Sequence, residues 1–228
     1  VSISATIQAL CDEEAVSYNQ QSGHGLLSAA EAKAWRSEFL RSVAVRPGYS
    51  CLDVGAGTGT LTHMLASMLS DEGKIVSQDI SGPSLEISKA SLPAEFSKRV
   101  DFLTGDIHDQ SLFSSAYHAS FDLITARQSA VLLVDPIKVF SHWRDLLKVD
   151  GRVVILDALW TRESWSGQWE QFIDQLPLSC LQSLSTIPYL LQYSGFEVES
   201  ARYLDEVNEA LGLQGVACPR FIVVARRA

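Results

Sequence analysis

The chain has 228 residues, 46% of them hydrophobic, enough for one domain built around a single core. Its 18 Lys and Arg against 27 Asp and Glu leave a formal net charge of −9, which repels phosphate backbones and argues against a nucleic-acid partner. No segment reaches the roughly 20 apolar residues of a membrane span, Val1 to Val16 contains no Lys or Arg of the kind a secretory signal needs, and Cys11, Cys51, Cys180 and Cys218 lack zinc-ligand spacing. A soluble, cytoplasmic protein with reduced cysteines and no metal is expected.

Residues 1–46 read as a helical cover, because Ser28 and Glu31 have capping-box spacing and Trp35, Phe39 and Val43 recur at the helical period. After Pro47 and Gly48, Tyr49 to Val54 reads as a strand, and Leu61, Leu65 and Met68 mark one face of the helix behind it. Lys74 to Gln78, Val100 to Leu103 and Phe121 to Thr125 supply further strands, with Pro83 in the first turn of a helix between the first two. Asp135 and Pro136 open a helix whose Ile137, Phe140, Arg144 and Leu147 share a face. Asp150 and Gly151 then turn the chain into a fifth strand, Arg152 to Leu156. Residues 47–159 thus form a core in which strands alternate with helices, the pattern of a parallel sheet covered on both faces. Trp160 to Leu191 reads as helical cover over a site, within residues 160–194. Phe196 to Leu204 and Arg220 to Ala225, within 195–228, read as an antiparallel end to a mostly parallel seven-stranded sheet.

Cys51 to Thr60 (CLDVGAGTGT) is an apolar strand that ends in three alternate glycines and runs into a helix. Positions without a side chain let a ligand lie against the main chain, and they accept the positive φ of a tight strand-to-helix turn. Dinucleotide oxidoreductases favour G-x-G-x-x-G with pyrophosphate at the helix N-terminus, whereas Thr60 stands at the third glycine of that pattern.

Asp53, Gly55, Gly57 and Gly59 together resemble the class I S-adenosylmethionine-dependent methyltransferases, a likeness that extends from Tyr18 to the C-terminus. It implies a Rossmann-like three-layer sandwich that takes S-adenosylmethionine and returns S-adenosylhomocysteine. Asp79, twenty residues after Gly59, stands where the family's acid accepts from both ribose hydroxyls, and Ile80 flanks the adenine. Asp106 stands where the adenine amino group is met and Ile107 where the ring is packed. Tyr18, Ala56 and Arg127 complete the implied donor set, Arg127 beside the methionine carboxylate or paired with a structural carboxylate.

A finer likeness is to the small-molecule, type 11 branch, through Tyr18, Gly23-His24-Gly25 and Trp35. That branch often reads R-H-x-x-W after the fourth strand. Gln128 and Val131 depart from it here, and Val149-Asp150-Gly151 replaces the branch's P-G-G turn. The resemblance implies acceptor contacts at His24, His108 and Arg127, with His24 and Arg127 as the candidate catalytic pair. His24 between glycines equally suits a turn, and His108 a helix cap. Trp35, Gln128, Val131, Trp160, Trp165 and Trp169 are further candidates for the acceptor pocket, since aromatic walls favour flat molecules. A planar heteroaromatic metabolite of a biosynthetic pathway, methylated on N or O, is the expected acceptor. A nucleic-acid amino-methyltransferase would carry N-P-P-Y or D-P-P-Y where Ala126 to Ser129 stand. A non-catalytic donor-binding partner of another methyltransferase is the alternative from a different class.

Overall fold

The computed structural model describes residues 2–21, 24–26, 28–181, 183–213 and 218–228. Helix α1 spans Ile3–Glu14, capped by the Ser2 hydroxyl, which accepts from the Ala5 amide. Helix α2 spans Ala29–Ser42, and the Ser28 hydroxyl accepts from the Glu31 amide at 3.1 Å, satisfying one of the donors a helix start leaves free. There follow β1 (Ser50–Val54), α3 (Thr60–Ala66), β2 (Lys74–Asp79), α4 (Gly82–Ser91), β3 (Val100–Thr104), β4 (Phe121–Arg127), α5 (Pro136–Leu146) and β5 (Leu147–Ala158). Helix α6 (Thr186–Tyr193), β6 (Phe196–Tyr203), α7 (Asp205–Ala210) and β7 (Arg220–Arg227) complete the chain.

The seven strands lie in the order β3-β2-β1-β4-β5-β7-β6. Strands β1 to β5 pair in parallel, and β7 runs antiparallel to both β5 and β6. Alternation along the strands divides the core. Cys51, Ile75, Leu123 and Val154 face α2, α3 and α7, whereas Leu52, Val76, Ile124, Val153 and Ile155 face α5 and α6. This is the expected Rossmann-like sandwich, with helices on both faces of a mostly parallel sheet. Strand order reverses between β1 and β4, and the carboxyl ends beside that crevice are where such sheets place ligands.

Three local expectations are corrected. Strand β5 begins at Leu147, five residues before Arg152, with Asp150 at φ 62° inside an irregular register rather than in a separating turn. The buried face of α5 is Val139, Phe140, Trp143 and Leu146; Ile137 is 40% exposed and Leu147 belongs to the strand. Residues after Trp160 form short 3-10 turns at Arg162–Ser164, Gly167–Gln171 and Ile173–Gln175, while α6 buries Ile187 and Leu191 against the α5 side of the sheet instead of covering the crevice.

Candidate functional site

A cavity of about 500 Å³ opens over the carboxyl ends of the parallel strands, inside the roughly 300–1,000 Å³ typical of small-molecule sites. Gly55 and Gly57 after β1, Asp79 and Ile80 at the end of β2, and Asp106 and Ile107 after β3 line one part. Tyr18, His24, Gln128 and Val131 line the other, together with Trp160, Trp165 and Trp169. Ser4, Ile7, Cys11 and Glu14 of α1 close it from above.

The glycine loop is shaped for close approach. Gly57 has φ 53°, and a Cβ built there meets no protein atom, so the space beside it belongs to the cavity. Gly59 serves packing: at φ 94° it starts α3, and a Cβ would strike the Ser88 hydroxyl and the His63 ring. Asp79 fastens the loop from β2, its carboxylate accepting from the Gly57 amide at 2.7 Å and the Ser81 amide at 2.8 Å. Burial raises its pKa, and these amides oppose the shift. The residue lines the cavity, and a carboxylate has acceptor capacity beyond these two bonds.

Asp53 lies beneath the loop and does not line the main cavity. It is 1% exposed and accepts from the Thr62 hydroxyl at 2.6 Å and the Thr125 hydroxyl at 2.9 Å, tying β1 to α3 and β4. Burial pushes its carboxyl up to about 6. Asp106 is held by His108, whose main-chain amide and Nδ1 reach Oδ1 at 2.9 and 2.7 Å. The Nε2 of the same ring accepts from the Val134 amide at 3.1 Å. Both ring nitrogens of His108 are therefore occupied in joining the β3 and β4 loops.

In the other part, His24 packs edge-on to Tyr18 with centroids 4.8 Å apart, and almost parallel to Trp160 at 6.0 Å. Its Nδ1 is buried with no hydrogen-bond partner among the described residues. Burial, then the charges of Arg220 and Arg127, lower its pKa to about 4, so the imidazole is neutral at physiological pH. Burial pushes the Tyr18 phenol the other way, up to about 12. Trp160, Trp165, Trp169 and Phe172 form a ladder with successive centroid spacings of 6.1, 5.7 and 5.4 Å. Indole Nε1 groups anchor it, Trp165 donating to the Ser179 carbonyl at 2.9 Å and Trp169 to Glu14 at 2.8 Å. Gln128 is buried at φ 55°, a strained setting for a residue with a side chain that concentrates at functional sites.

Some sequence-derived candidates stand outside the main cavity. Trp35 is 3% exposed in the α2 core and forms a platform 4.5 Å from the Arg127 guanidinium, so it does not line the cavity. Arg127 is bound to the His24 carbonyl and, with Asp53 and Ala56, borders a small crevice beside the glycine loop. Gly23, part of the Gly-His-Gly motif, lies outside the described residues. Helix α1 falls within the helical cover expected for residues 1–46, but its cavity-lining residues were not singled out, although Ile3, Ile7, Leu10 and Glu14 recur at helical spacing. Sequence reasoning also passed over Asp157, an acid at the end of β5 just as Asp79 is at the end of β2, whose Oδ1 accepts from Trp160 Nε1 at 3.0 Å.

A family model described as a methyltransferase domain matches residues 46–185, more than half the chain. Demethylmenaquinone methyltransferase of Bacillus cereus is 29% identical over 135 residues, 59% of this chain and 55% of that protein. The chain thus spans about half the length of the curated relatives it matches. Phosphoethanolamine N-methyltransferase 2 of Haemonchus contortus, solved with S-adenosyl-L-methionine, superposes with TM-score 0.70 at 16% identity, covering 100% of this chain and 60% of that one. Geranyl diphosphate C-methyltransferase of Streptomyces coelicolor superposes with TM-score 0.69 at 15% identity, covering 100% and 99%. These two share the fold.

Proposed function

This chain belongs to the methyltransferase domain family, and we propose that it transfers a methyl group from S-adenosylmethionine to nitrogen or oxygen of a small, flat heteroaromatic metabolite in a biosynthetic pathway. One observation carries the reading: the side-chain-free approach at Gly57 and the Asp79 carboxylate open onto the same cavity as His24 and the tryptophan ladder. A donor and a flat acceptor can therefore be held together. When bound, the donor supplies a methyl carbon made electrophilic by its sulfonium.

The chain's own residues orient and enclose. Asp79 accepts from the ribose hydroxyls, Asp106 meets the adenine amino group, and Ile80 and Ile107 pack on the adenine faces. Arg127 acts from beside the glycine loop, where both its terminal nitrogens hold the His24 carbonyl. The neutral His24 ring forms part of the acceptor wall, and Trp160 and Trp165 confine the plane of the acceptor's ring. Because His24 binds a proton only weakly, its main contribution is orientation, and effective molarities let orientation supply about 7–11 kcal/mol of such a barrier.

Calorimetry with S-adenosylhomocysteine tests the donor half, and folded protein that takes up none overturns the reading. Incubating the protein with S-adenosylmethionine and flat N-heterocycles, followed by mass spectrometry, tests the acceptor half. Products heavier by one CH2 group are expected from flat compounds and not from aliphatic amines of similar size.

A further inference from the structure

We propose that Arg220, which lies behind the cavity wall, is a positioning residue: it holds Trp160, and through Trp160 the His24 ring, in the orientation an acceptor meets. The inference rests on the assignment of this part of the cavity to the acceptor.

Trp160 is gripped at its edge and on its ring. Its Nε1 donates to Asp157 Oδ1 at 3.0 Å, the Arg220 guanidinium carbon lies 4.7 Å from its ring centroid, and the His24 ring stacks 6.0 Å away at an interplanar angle of 21°. Beyond His24 stands the Tyr18 ring. The result is a connected row, Arg220 to Trp160 to His24 to Tyr18, in which the last three line the cavity and Arg220 does not.

Arg220 is itself fixed. It opens β7 directly across from Ala158, the neighbour of Asp157. Its main-chain amide donates to Asn208 Oδ1 at 2.7 Å, its carbonyl accepts from Asn208 Nδ2 at 3.0 Å, and its Nη1 donates to the Cys218 carbonyl at 2.7 Å. The residue is 5% exposed. Asp157 supplies the opposing charge it feels most and also holds the indole nitrogen, so one carboxylate organises both partners of the stack. A strand that only needed a first residue would not require a buried cation here. A planar guanidinium stacks on an indole in a way an ammonium does not, which gives Arg at this position a specific use.

Fluorine NMR of protein labelled with 5-fluorotryptophan reads the stack without a known acceptor. The five tryptophan signals are assigned by single Trp→Phe substitutions. Arg220→Met, which keeps much of the length but removes plane and charge, is expected to displace the Trp160 signal beyond its linewidth while Trp35 and Trp143 stay in place. Arg220→Lys is expected to restore that signal only partway. S-adenosylhomocysteine affinity of both variants should stay within twofold of the parent protein. The proposal is overturned by an unmoved Trp160 signal in folded Arg220→Met, by all five signals shifting together, by full restoration with Lys, or by a larger change in donor affinity. If Arg220→Met does not fold, Arg220→Lys decides alone, because an unmoved Trp160 signal there removes the stack. If the parent protein binds no S-adenosylhomocysteine, the methyltransferase reading fails separately, while the fluorine spectra still report on Arg220.

Discussion

Arg127 gives both terminal guanidinium nitrogens to a single acceptor, the main-chain carbonyl of His24, at 3.0 Å each. The contact joins the end of β4 to the segment before α2 across 103 residues of sequence, and the guanidinium rests on Trp35 at 4.5 Å. A residue expected to touch ligand directly is thereby also the clamp that fixes the position of His24.

Arg127→Lys should loosen that clamp, since an ammonium cannot reproduce the planar fork. Loss of one charge-assisted hydrogen bond predicts destabilisation of about 1.5–3 kcal/mol. Amide exchange at His24 and Gly25 should quicken relative to the β-sheet. Unchanged exchange at these two amides would show that the His24 segment is held by other contacts.

Asp79→Ala should weaken S-adenosylhomocysteine binding by roughly ten- to a hundredfold, the equivalent of losing a charged acceptor worth about 1.5–3 kcal/mol. Asn at the same position keeps one acceptor oxygen and should recover part of the loss. Titration calorimetry measures both, and parent-like affinity in the Ala variant removes the ribose assignment.

The glycines of the loop should separate by phenotype. Gly57→Ala places a methyl group in open cavity at φ 53°, so it should cost about 1–2 kcal/mol of stability yet weaken donor binding at least tenfold. Gly59→Ala drives a methyl group into Ser88 and His63 and should lower the unfolding midpoint more than Gly57→Ala does. The opposite ranking in thermal unfolding and calorimetry would reverse the roles given to the two positions.

His24 should remain neutral through the physiological range. Its pKa of about 4, set by burial and then by Arg220 and Arg127, predicts imidazole NMR signals that hold constant from pH 8 to about pH 5 and move only below that. Burial of the neutral form stabilises the fold above the ordinary value of 6.5, and that contribution fades as pH falls toward about 4. A titration midpoint near 6.5 would place the ring in water.

Asp157 has the opposite dependence. Burial pushes its carboxyl from 3.8 up to about 6, so the folded chain holds this proton more tightly than the unfolded chain does. Its contribution to stability therefore declines as pH rises from about 4 to about 6, by an amount on the order of 3 kcal/mol. Asp157→Asn abolishes the decline while keeping an acceptor for Trp160. Urea unfolding across that range should show the parent losing stability relative to the variant as pH rises; a constant difference would mean that Asp157 ionises normally.

The parts legible in sequence were those with a local cause. Glycine spacing after β1, Asp79 at the end of β2 and Ser28 as a helix cap each depend on neighbours a few residues away. Boundaries were less legible where tertiary pairing decided them. Leu147 joins a strand because Phe121 pairs with it, against the helical period that suggested otherwise. The segment after Trp160 has helix-compatible composition but contains Gly167 at φ 63° and tryptophans tied to distant acceptors, and it settles into short turns. Trp35 sits next to the site in sequence logic, yet α2 turns it into the core. Asp157 and Arg220 come together only because β7 pairs with β5, a relation between residues 63 apart that no local pattern announces.

Strand β7 lies between β5 and β6, so the seventh strand of this sheet in chain order is an interior one. During synthesis β6 leaves the ribosome with no sheet neighbour and must wait for Arg220–Arg227 before it can dock. A nascent chain halted just short of that point would display the open flank of β5 and an unpaired β6, two sticky edges that invite association with other chains. Folding of this sheet should accordingly be most vulnerable to aggregation in the interval between the synthesis of β6 and that of β7.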